Sequence, residues 1–219
     1  MSATRKTKPD ADGPRAADFY PTPAWAVDAV ASLILDGCPV GTAIYDCGAG
    51  EGAILRALAR HCSLPESGLL RGCEIRGEAA AACRADGFNV WTLDWLKDDG
   101  RAANSLGDSV GAFVMNPPYG GRLNLAQRFV HLALERATPG TAVWALLRMN
   151  WLLDGEVTHS RQSWLRNGPG VPDVFALNKR PSFTGDGRAD ATTYAWMRWA
   201  KGAPQSVGAF RILDCHEPP

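Results

Sequence analysis

The most specific chemical signal in the sequence is the run Asn116-Pro117-Pro118-Tyr119-Gly120, which directly follows an apolar stretch. Two consecutive prolines fix the backbone and remove two N–H donors, so that carbonyl oxygens are left as acceptors. Asn116 adds a side-chain oxygen acceptor, and Tyr119 adds a flat aromatic ring with a polar edge. Such a cluster can accept both hydrogens of a planar amino group while the ring stacks on the plane that bears it.

The chemistry that this motif predicts is attack by an amino nitrogen. An amino group on an aromatic base is a weak nucleophile because its lone pair is delocalised into the ring. Two acceptors that pull its hydrogens out of the plane move the nitrogen toward tetrahedral geometry and free the lone pair. The alternative interpretation is a Pro-Pro turn that only ends a strand.

A glycine-rich turn, Asp46-Cys-Gly48-Ala-Gly50-Glu51-Gly52, provides a second signal. Glycines at this place allow a tight turn and a close approach of the backbone to a nucleotide-type cofactor. The spacing G-x-G-x-G differs from the G-x-G-x-x-G of dinucleotide sites, and Glu51 would repel a pyrophosphate. Asp46 suits a cationic or hydroxyl-bearing ligand instead. A nicotinamide cofactor is therefore the weakest alternative, and a tight turn without a ligand remains open.

Carboxylates also follow the next two apolar runs, at Glu74 and Asp94. One such carboxylate can accept from both ribose hydroxyls of a nucleoside, and the next can accept from an adenine amino group. A single acidic residue after a strand is more often a turn or cap residue. The regular placement of Asp46, Glu74 and Asp94 in successive units nevertheless favours a nucleoside-containing cofactor, with Trp95 as a further candidate contact.

The elements that must position these residues alternate along the chain. Apolar runs predict strands at residues 42–47, 69–74, 87–92, 110–115, 141–147, 173–177 and 192–199. Helical patterns lie between them, at residues 23–36 with Thr22 as the cap, after Gly52, at 77–86 and at 123–137. Strands that alternate with helices in this way predict an α/β, Rossmann-like fold with a mostly parallel central sheet and helices on both faces.

Composition supports one soluble domain. The chain has 219 residues, of which 46% are hydrophobic and 21% charged, and its formal net charge is zero. No uncharged apolar run reaches the length of a membrane helix, and the cysteines and histidines lack the spacing of a zinc site. We therefore expect no metal ion and a reducing, cytoplasmic compartment.

Residues 1–18 are polar and predict a flexible tail, followed by a single catalytic domain over residues 19–219.

Asp46-Cys-Gly-Ala-Gly together with Asn116-Pro-Pro-Tyr resembles the class I S-adenosylmethionine-dependent methyltransferases that modify amino nitrogens. More narrowly, the sequence is similar to the small phage- and prophage-type DNA N6-adenine methyltransferases. Residues 18–23 resemble the segment of that family that packs over the methionine part of the cofactor. Residues 179–183, followed by residues 194–199, resemble its C-terminal segment, whose aromatic residue faces the extruded base.

This resemblance implies S-adenosylmethionine as the cofactor and double-stranded DNA as the partner. The implied cofactor-binding residues are Phe19, Tyr20, Pro21, Thr22, Asp46, Gly48, Gly50, Glu74, Asp94, Trp95 and Asn116. The implied catalytic residues are Asn116, Pro117, Pro118, Tyr119 and Phe183. The basic residues of two polar loops are the candidates for DNA contacts, namely Arg161, Arg166, Lys179, Arg180 and Arg188.

Two other functions remain open. One is an amino methyltransferase for RNA or for a protein glutamine, although such enzymes usually carry an additional substrate domain that is not evident here. The other is a degenerate fold that only binds nucleic acid, against which the intact carboxylates and Asn116 argue. By the resemblance, Asn before Pro-Pro-Tyr favours adenine over cytosine. Because one small domain buries a modest area on DNA, we expect a homodimer that reads a palindromic site.

Overall fold

The computed structural model describes residues 21–62, 69–100, 110–119, 124–152, 164–165, 168–183, 189–202 and 208–215. Within these ranges the strands are β1 Ala43–Asp46, β2 Leu70–Glu74, β3 Asn89–Thr92, β4 Val110–Met115, β5 Ala142–Arg148, β6 Asp173–Leu177, β7 Tyr194–Ala200 and β8 Phe210–Leu213. The α-helices in the same ranges are α1 Ala24–Asp36, α2 Ala53–Ala59, α3 Gly77–Ala85 and α4 Leu125–Arg136. A short 3₁₀ helix covers Met149–Leu152.

The eight described strands form one sheet in the order β3-β2-β1-β4-β5-β7-β6-β8. Strands β1 to β5 pair in parallel, whereas β7 is antiparallel to both β5 and β6. The prediction of a Rossmann-like, mostly parallel sheet is confirmed. The strand order reverses at β1, which lies between β2 and β4, and open α/β sheets bind ligands at the carboxyl ends beside such a switch point.

Helices pack on both faces of the sheet. Alternate residues of the central strands point to opposite faces, so neighbouring residues belong to different clusters. Ile44 of β1 belongs to a buried cluster that includes residues of α1, α2 and α3. Its neighbour Tyr45 belongs to a second buried cluster that includes residues of α4. A strand that is buried on both faces reads as a continuous apolar run, which is why β1, β4 and β5 could be predicted from the sequence. The prediction of helices on both faces is also confirmed.

One local prediction was wrong, and one strand was not predicted. Thr22 does not cap α1, because its Oγ1 accepts a hydrogen bond from Asn116 Nδ2 at 3.1 Å and no side chain caps this helix. Strand β8 was not predicted from the sequence. Its residues Phe210 and Ile212 are exposed, so the segment has no buried apolar pattern of the kind that indicated the other strands.

None of the helices in the described ranges is long and apolar enough to cross a membrane. Within the same ranges, no three His, Cys, Asp or Glu side chains are grouped closely enough to hold a metal ion.

Candidate active site

The predicted functional residues meet at the carboxyl edge of the sheet. Asp46 and Glu74 are the last residues of the neighbouring parallel strands β1 and β2. Strand β4 pairs with the opposite side of β1, and Asn116 directly follows β4. The backbone also joins the two motifs, because the N–H of Cys47 donates to the carbonyl of Val114 at 3.1 Å. The glycine-rich turn and the Asn-Pro-Pro-Tyr motif are therefore adjacent.

The glycine-rich turn has a backbone conformation that only glycine adopts readily. Gly50 and Gly52 have φ angles of +57° and +89°, in the left-handed region. A Cβ atom at Gly52 would also lie 3.0 Å from the Sγ of Cys83, on α3. The tight turn thus brings the start of α2 close to α3, at a position where a larger residue than glycine would collide with Cys83.

Asp46 is fully buried and only half satisfied. Its Oδ1 accepts from the N–H of Gly48 at 3.1 Å, while its Oδ2 has no hydrogen-bond partner among the described residues. Burial raises the pKa of Asp46 to about 7; the N–H of Gly48 lowers it, and the nearby Glu74 carboxylate adds to the rise. A buried carboxylate with an unused oxygen can be satisfied by a donor or a cation from a ligand.

Glu74 holds the glycine-rich turn in place. Its Oε2 accepts from the N–H of Gly50 at 2.8 Å, and its Oε1 accepts from the backbone N–H and the Nε of Arg76, both at 2.9 Å. An ionised carboxylate has about four acceptor positions, so capacity for a ligand hydroxyl remains. The side chain thus couples the conformation of the turn to the end of β2.

Asp94 and Trp95 have different surroundings although they are adjacent. Asp94 is half-buried, and its Oδ1 accepts from the N–H of Leu96 at 3.0 Å in a local turn. Trp95 packs in the core, where the guanidinium of Arg136 lies 4.0 Å from the centroid of its ring and its Nε1 donates to the carbonyl of Phe129 at 3.4 Å. These contacts hold Trp95 in the buried core beside α4, a position that the sequence patterns did not predict.

The side chains of the Asn-Pro-Pro-Tyr motif contact one another. The hydroxyl of Tyr119 lies 3.0 Å from Asn116 Oδ1 and also contacts the carbonyl of Leu146 in β5. Burial of this hydroxyl raises the pKa of Tyr119 well above its ordinary value, so the group stays protonated and acts as a donor. Because Thr22 receives the amide N–H of Asn116, the side-chain oxygen of Asn116 is turned toward Tyr119. The amide orientation is therefore set by two hydrogen bonds.

A third aromatic residue, Tyr194, links the two aromatic residues that the sequence analysis selected. Its ring lies edge-on to Tyr119, with the centroids 5.9 Å apart, and edge-on to Phe183, with the centroids 5.0 Å apart. Tyr194 is the first residue of β7 and pairs with Arg148 of β5. The structure thus brings Phe183 to the same edge of the sheet as the Asn-Pro-Pro-Tyr motif.

A polar group that the sequence patterns did not indicate lies beside these rings. Arg148 Nε donates to the hydroxyl of Tyr194 at 3.1 Å, and the hydroxyl donates to Asp190 Oδ2 at 2.7 Å. Burial raises the pKa of Tyr194 to about 12, which keeps its hydroxyl proton available for Asp190. The signal in the sequence was a charged residue, Arg148, directly after the apolar run at residues 141–147.

Some of the remaining candidates lie within the described residues and the others lie outside them. Lys179 and Arg180 are exposed, and Lys179 Nζ lies 5.3 Å from the ring centroid of Trp25. Pro21 is exposed and Pro117 is buried. The candidates outside the described residues are Phe19, Tyr20, Arg161, Arg166 and Arg188.

No protein-family model and no curated protein sequence matches this chain. Solved structures do match. The methyltransferase subunit of a type I restriction-modification system from Streptococcus thermophilus has a TM-score of 0.67 at 14% identity, over 84% of this chain and 45% of the subunit. The fold is that of the class I methyltransferases. The chain spans less than half of that subunit, so the likeness concerns one part of it.

Two shorter proteins have the same fold over most of their length. A proposed class I S-adenosylmethionine-dependent methyltransferase from Listeria monocytogenes has a TM-score of 0.67 at 13% identity, over 92% of this chain and 68% of that protein. A proposed RNA methyltransferase from Pyrococcus horikoshii has a TM-score of 0.62 at 19% identity, over 87% of this chain and 91% of that protein. At identities this low, the structural matches show a shared fold and do not identify a substrate.

Proposed function

We propose that this protein is an S-adenosylmethionine-dependent methyltransferase that modifies the exocyclic N6 nitrogen of adenine in DNA. The observation that carries this proposal is the adjacency of two sites at the switch point of the sheet. A fully buried carboxylate with an unused oxygen, Asp46, ends β1, and the acceptor group Asn116 follows the neighbouring strand β4. We take the first group as the site for a charged cofactor and the second as the site for an amino group.

S-adenosylmethionine fits the groups at the first site. The cofactor carries a cationic centre, an amino group and two ribose hydroxyls, and it supplies an electrophilic methyl group when bound. Asp46 would face a cationic or amino group, whereas Glu74 and Asp94 would accept hydroxyl or amino hydrogens. The glycine-rich turn lets the backbone approach the cofactor closely. The predicted contacts of Phe19, Tyr20, Pro21, Thr22 and Trp95 with the cofactor remain predictions.

The second site would bind and orient the adenine. Asn116 Oδ1 and a carbonyl of the Pro117-Pro118 segment would accept the two hydrogens of the amino group, while the ring of Tyr119 would stack on the base. Phe183 would close the opposite side. After methyl transfer the nitrogen is cationic and loses a proton readily, so none of these side chains has to act as a general base. An adenine within a duplex must be extruded to reach this site.

RNA is the second candidate substrate. The protein from Pyrococcus horikoshii is a proposed RNA methyltransferase, and this chain covers 91% of its length. The neighbours from restriction-modification systems are larger than this chain, which covers 45% of the Streptococcus thermophilus subunit. We favour DNA because the Asp46-Cys-Gly-Ala-Gly and Asn116-Pro-Pro-Tyr motifs resemble those of small DNA adenine methyltransferases.

The decisive experiment offers both nucleic acids to the purified protein. Random-sequence duplex DNA and total RNA are incubated separately with S-adenosylmethionine that carries a labelled methyl group, then digested and analysed by mass spectrometry. We expect labelled N6-methyladenine in the DNA, and sequencing of the modified positions gives the target site. The Asp46→Asn variant is the control for cofactor-dependent transfer. Label only in RNA, or only on cytosine N4, would refute the proposal.

We further propose that two copies act together on DNA. A single small domain covers less DNA surface than specific recognition usually requires, which is about 1,000–2,500 Å² of protein surface. Two copies related by a two-fold axis would read a palindromic site. Light scattering with a duplex that carries the mapped site should give two chains per DNA, whereas one chain per DNA would show that a single copy suffices.

A further inference from the structure

Arg148 stands at the edge of the proposed base-binding site. It is the last residue of β5, its side chain is 44% exposed, and its guanidinium carbon lies 5.4 Å from the ring centroid of Tyr119. Tyr119 is the ring that we propose to stack on the base. A cation that contacts this ring is therefore next to the nucleotide that enters the site.

Two neighbours, Tyr194 and Asp190, fix the position of Arg148 while its side chain stays partly exposed to solvent. Its Nε donates to the hydroxyl of Tyr194 at 3.1 Å, but its Nη2 is 3.6 Å from Asp190 Oδ2, which is too long for a good hydrogen bond. The same Oδ2 already accepts the hydroxyl proton of Tyr194 at 2.7 Å. Among the described residues, Nη1 of Arg148 has no hydrogen-bond partner. The outer edge of the guanidinium can therefore bind a further anion.

We propose that Arg148 binds the phosphodiester next to the nucleotide that is methylated, an inference that rests on the proposed function. The phosphate and the base of one nucleotide are separated only by the sugar, so a base stacked on Tyr119 brings its backbone close to Arg148. Arginine binds phosphate with two parallel N–H donors from one planar group, and it stacks on aromatic rings at the same time. Tyr194 and Asp190 are positioning residues that orient this group.

A purely structural role for Arg148, as a support for Tyr119 and Tyr194, makes different predictions. A support affects stability and the shape of the site, but it does not change how binding depends on salt or on the charge of one phosphate. A phosphate contact changes both, because neutralising a phosphate releases bound counterions. The experiment therefore measures salt dependence and phosphate charge, in addition to affinity.

The first measurement compares Arg148→Met with wild-type protein on a duplex that carries the mapped adenine. We expect the affinity to fall about 10- to 100-fold and the slope of log K against log salt to become shallower by about 1. The matched control is Arg198→Met. Arg198 also contacts a carboxylate, Asp173 at 3.3 Å, and an aromatic ring, Trp144 at 5.7 Å, but it pairs with Trp144 in the interior of the sheet. This control should leave the salt slope unchanged.

The second measurement replaces single phosphates near the mapped adenine with neutral methylphosphonates. Wild-type protein should lose affinity at one phosphate beside the adenine, and Arg148→Met should lose little or nothing further at that position. Arg148→Lys, which keeps the charge but not the planar fork, should show a smaller loss there than the wild type. This conservative variant and the wild-type scan decide the question if Arg148→Met does not fold.

An unchanged salt slope in Arg148→Met, or equal losses in wild type and variants at every phosphate, would overturn the inference. Methylation of the same duplex by wild-type protein is recorded in parallel. DNA that is methylated on adenine while Arg148 has no effect on phosphate binding overturns the inference alone. DNA that wild-type protein does not methylate overturns the proposed function, and this inference with it.

Discussion

The hydroxyl of Tyr119 and the side-chain oxygen of Asn116 lie 3.0 Å apart. Tyr119, whose ring we propose to stack on the base, therefore also positions Asn116 Oδ1, the acceptor that we propose for the amino hydrogens. The hydroxyl carries one proton and has a second acceptor, the carbonyl of Leu146. An amino group that approaches Asn116 can take over its oxygen while the hydroxyl of Tyr119 continues to donate to Leu146, so no group is left unsatisfied.

Replacement of Asn116 by Ala should reduce turnover far more than cofactor affinity. The acceptor matters most when the nitrogen becomes tetrahedral, so its loss acts on the transition state. Loss of one such preorganised group typically costs about 100-fold in kcat. Steady-state kinetics and calorimetry with S-adenosylmethionine measure the two effects separately. The companion variant Thr22→Val removes the hydroxyl that accepts from the Asn116 amide and leaves the Asn116 oxygen in place, so it should lower kcat by less. Equal losses of turnover and cofactor affinity in Asn116→Ala would contradict this role.

Variants of Tyr119 distinguish the ring from the hydroxyl. Tyr119→Phe keeps the stacking surface and removes a donor that serves only protein acceptors, Asn116 and Leu146. We expect it to retain most of the activity, and we expect Tyr119→Ala to lose both base binding and turnover. Kinetics on the same DNA compare the two variants. If Tyr119→Phe is as inactive as Tyr119→Ala, the hydroxyl is essential and stacking is the wrong explanation.

Much of the site could be predicted because it depends on short, local patterns. Asp46, Glu74 and Asn116 each follow an apolar run, and parallel strands place such ends at one edge. The group around Arg148 depends instead on β7, whose antiparallel pairing brings Tyr194, 46 positions further along the chain, against β5. Periodicity gives a strand but not its neighbours or its direction, so this contact could not be predicted. The core position of Trp95 likewise depends on α4, which is distant in sequence.

Asp46 should make the protein less stable as pH rises from about 4 to about 7. Its ordinary pKa is 3.8, and burial, partly opposed by the N–H of Gly48 and reinforced by Glu74, raises the folded-state pKa to about 7. Between these values the folded state holds a proton that the unfolded state has released, so the free energy of unfolding falls as pH increases. The full difference corresponds to about 4 kcal/mol.

Urea unfolding at about pH 5 and about pH 8, without cofactor, tests this effect against Asp46→Asn. The variant has an amide of similar shape that does not titrate, so its stability should change less between the two pH values. Groups that do not interact with Asp46 titrate equally in both proteins and cancel in the comparison. The same pH dependence in both proteins would show that Asp46 does not titrate in this range.

Binding of S-adenosylmethionine should release a proton from Asp46 near pH 6. A cationic group beside the carboxylate favours its ionised form, so the cofactor-bound state lowers the pKa from the value of about 7 that Asp46 has otherwise. The affinity should therefore rise with pH from about 5 until the carboxyl is ionised before binding, above about pH 7. Calorimetry in two buffers with different ionisation enthalpies measures the released proton directly. Asp46→Asn should bind the cofactor weakly and release no proton. Binding by wild-type protein with no proton exchange at pH 6 would mean that the cofactor does not satisfy the unused oxygen of Asp46.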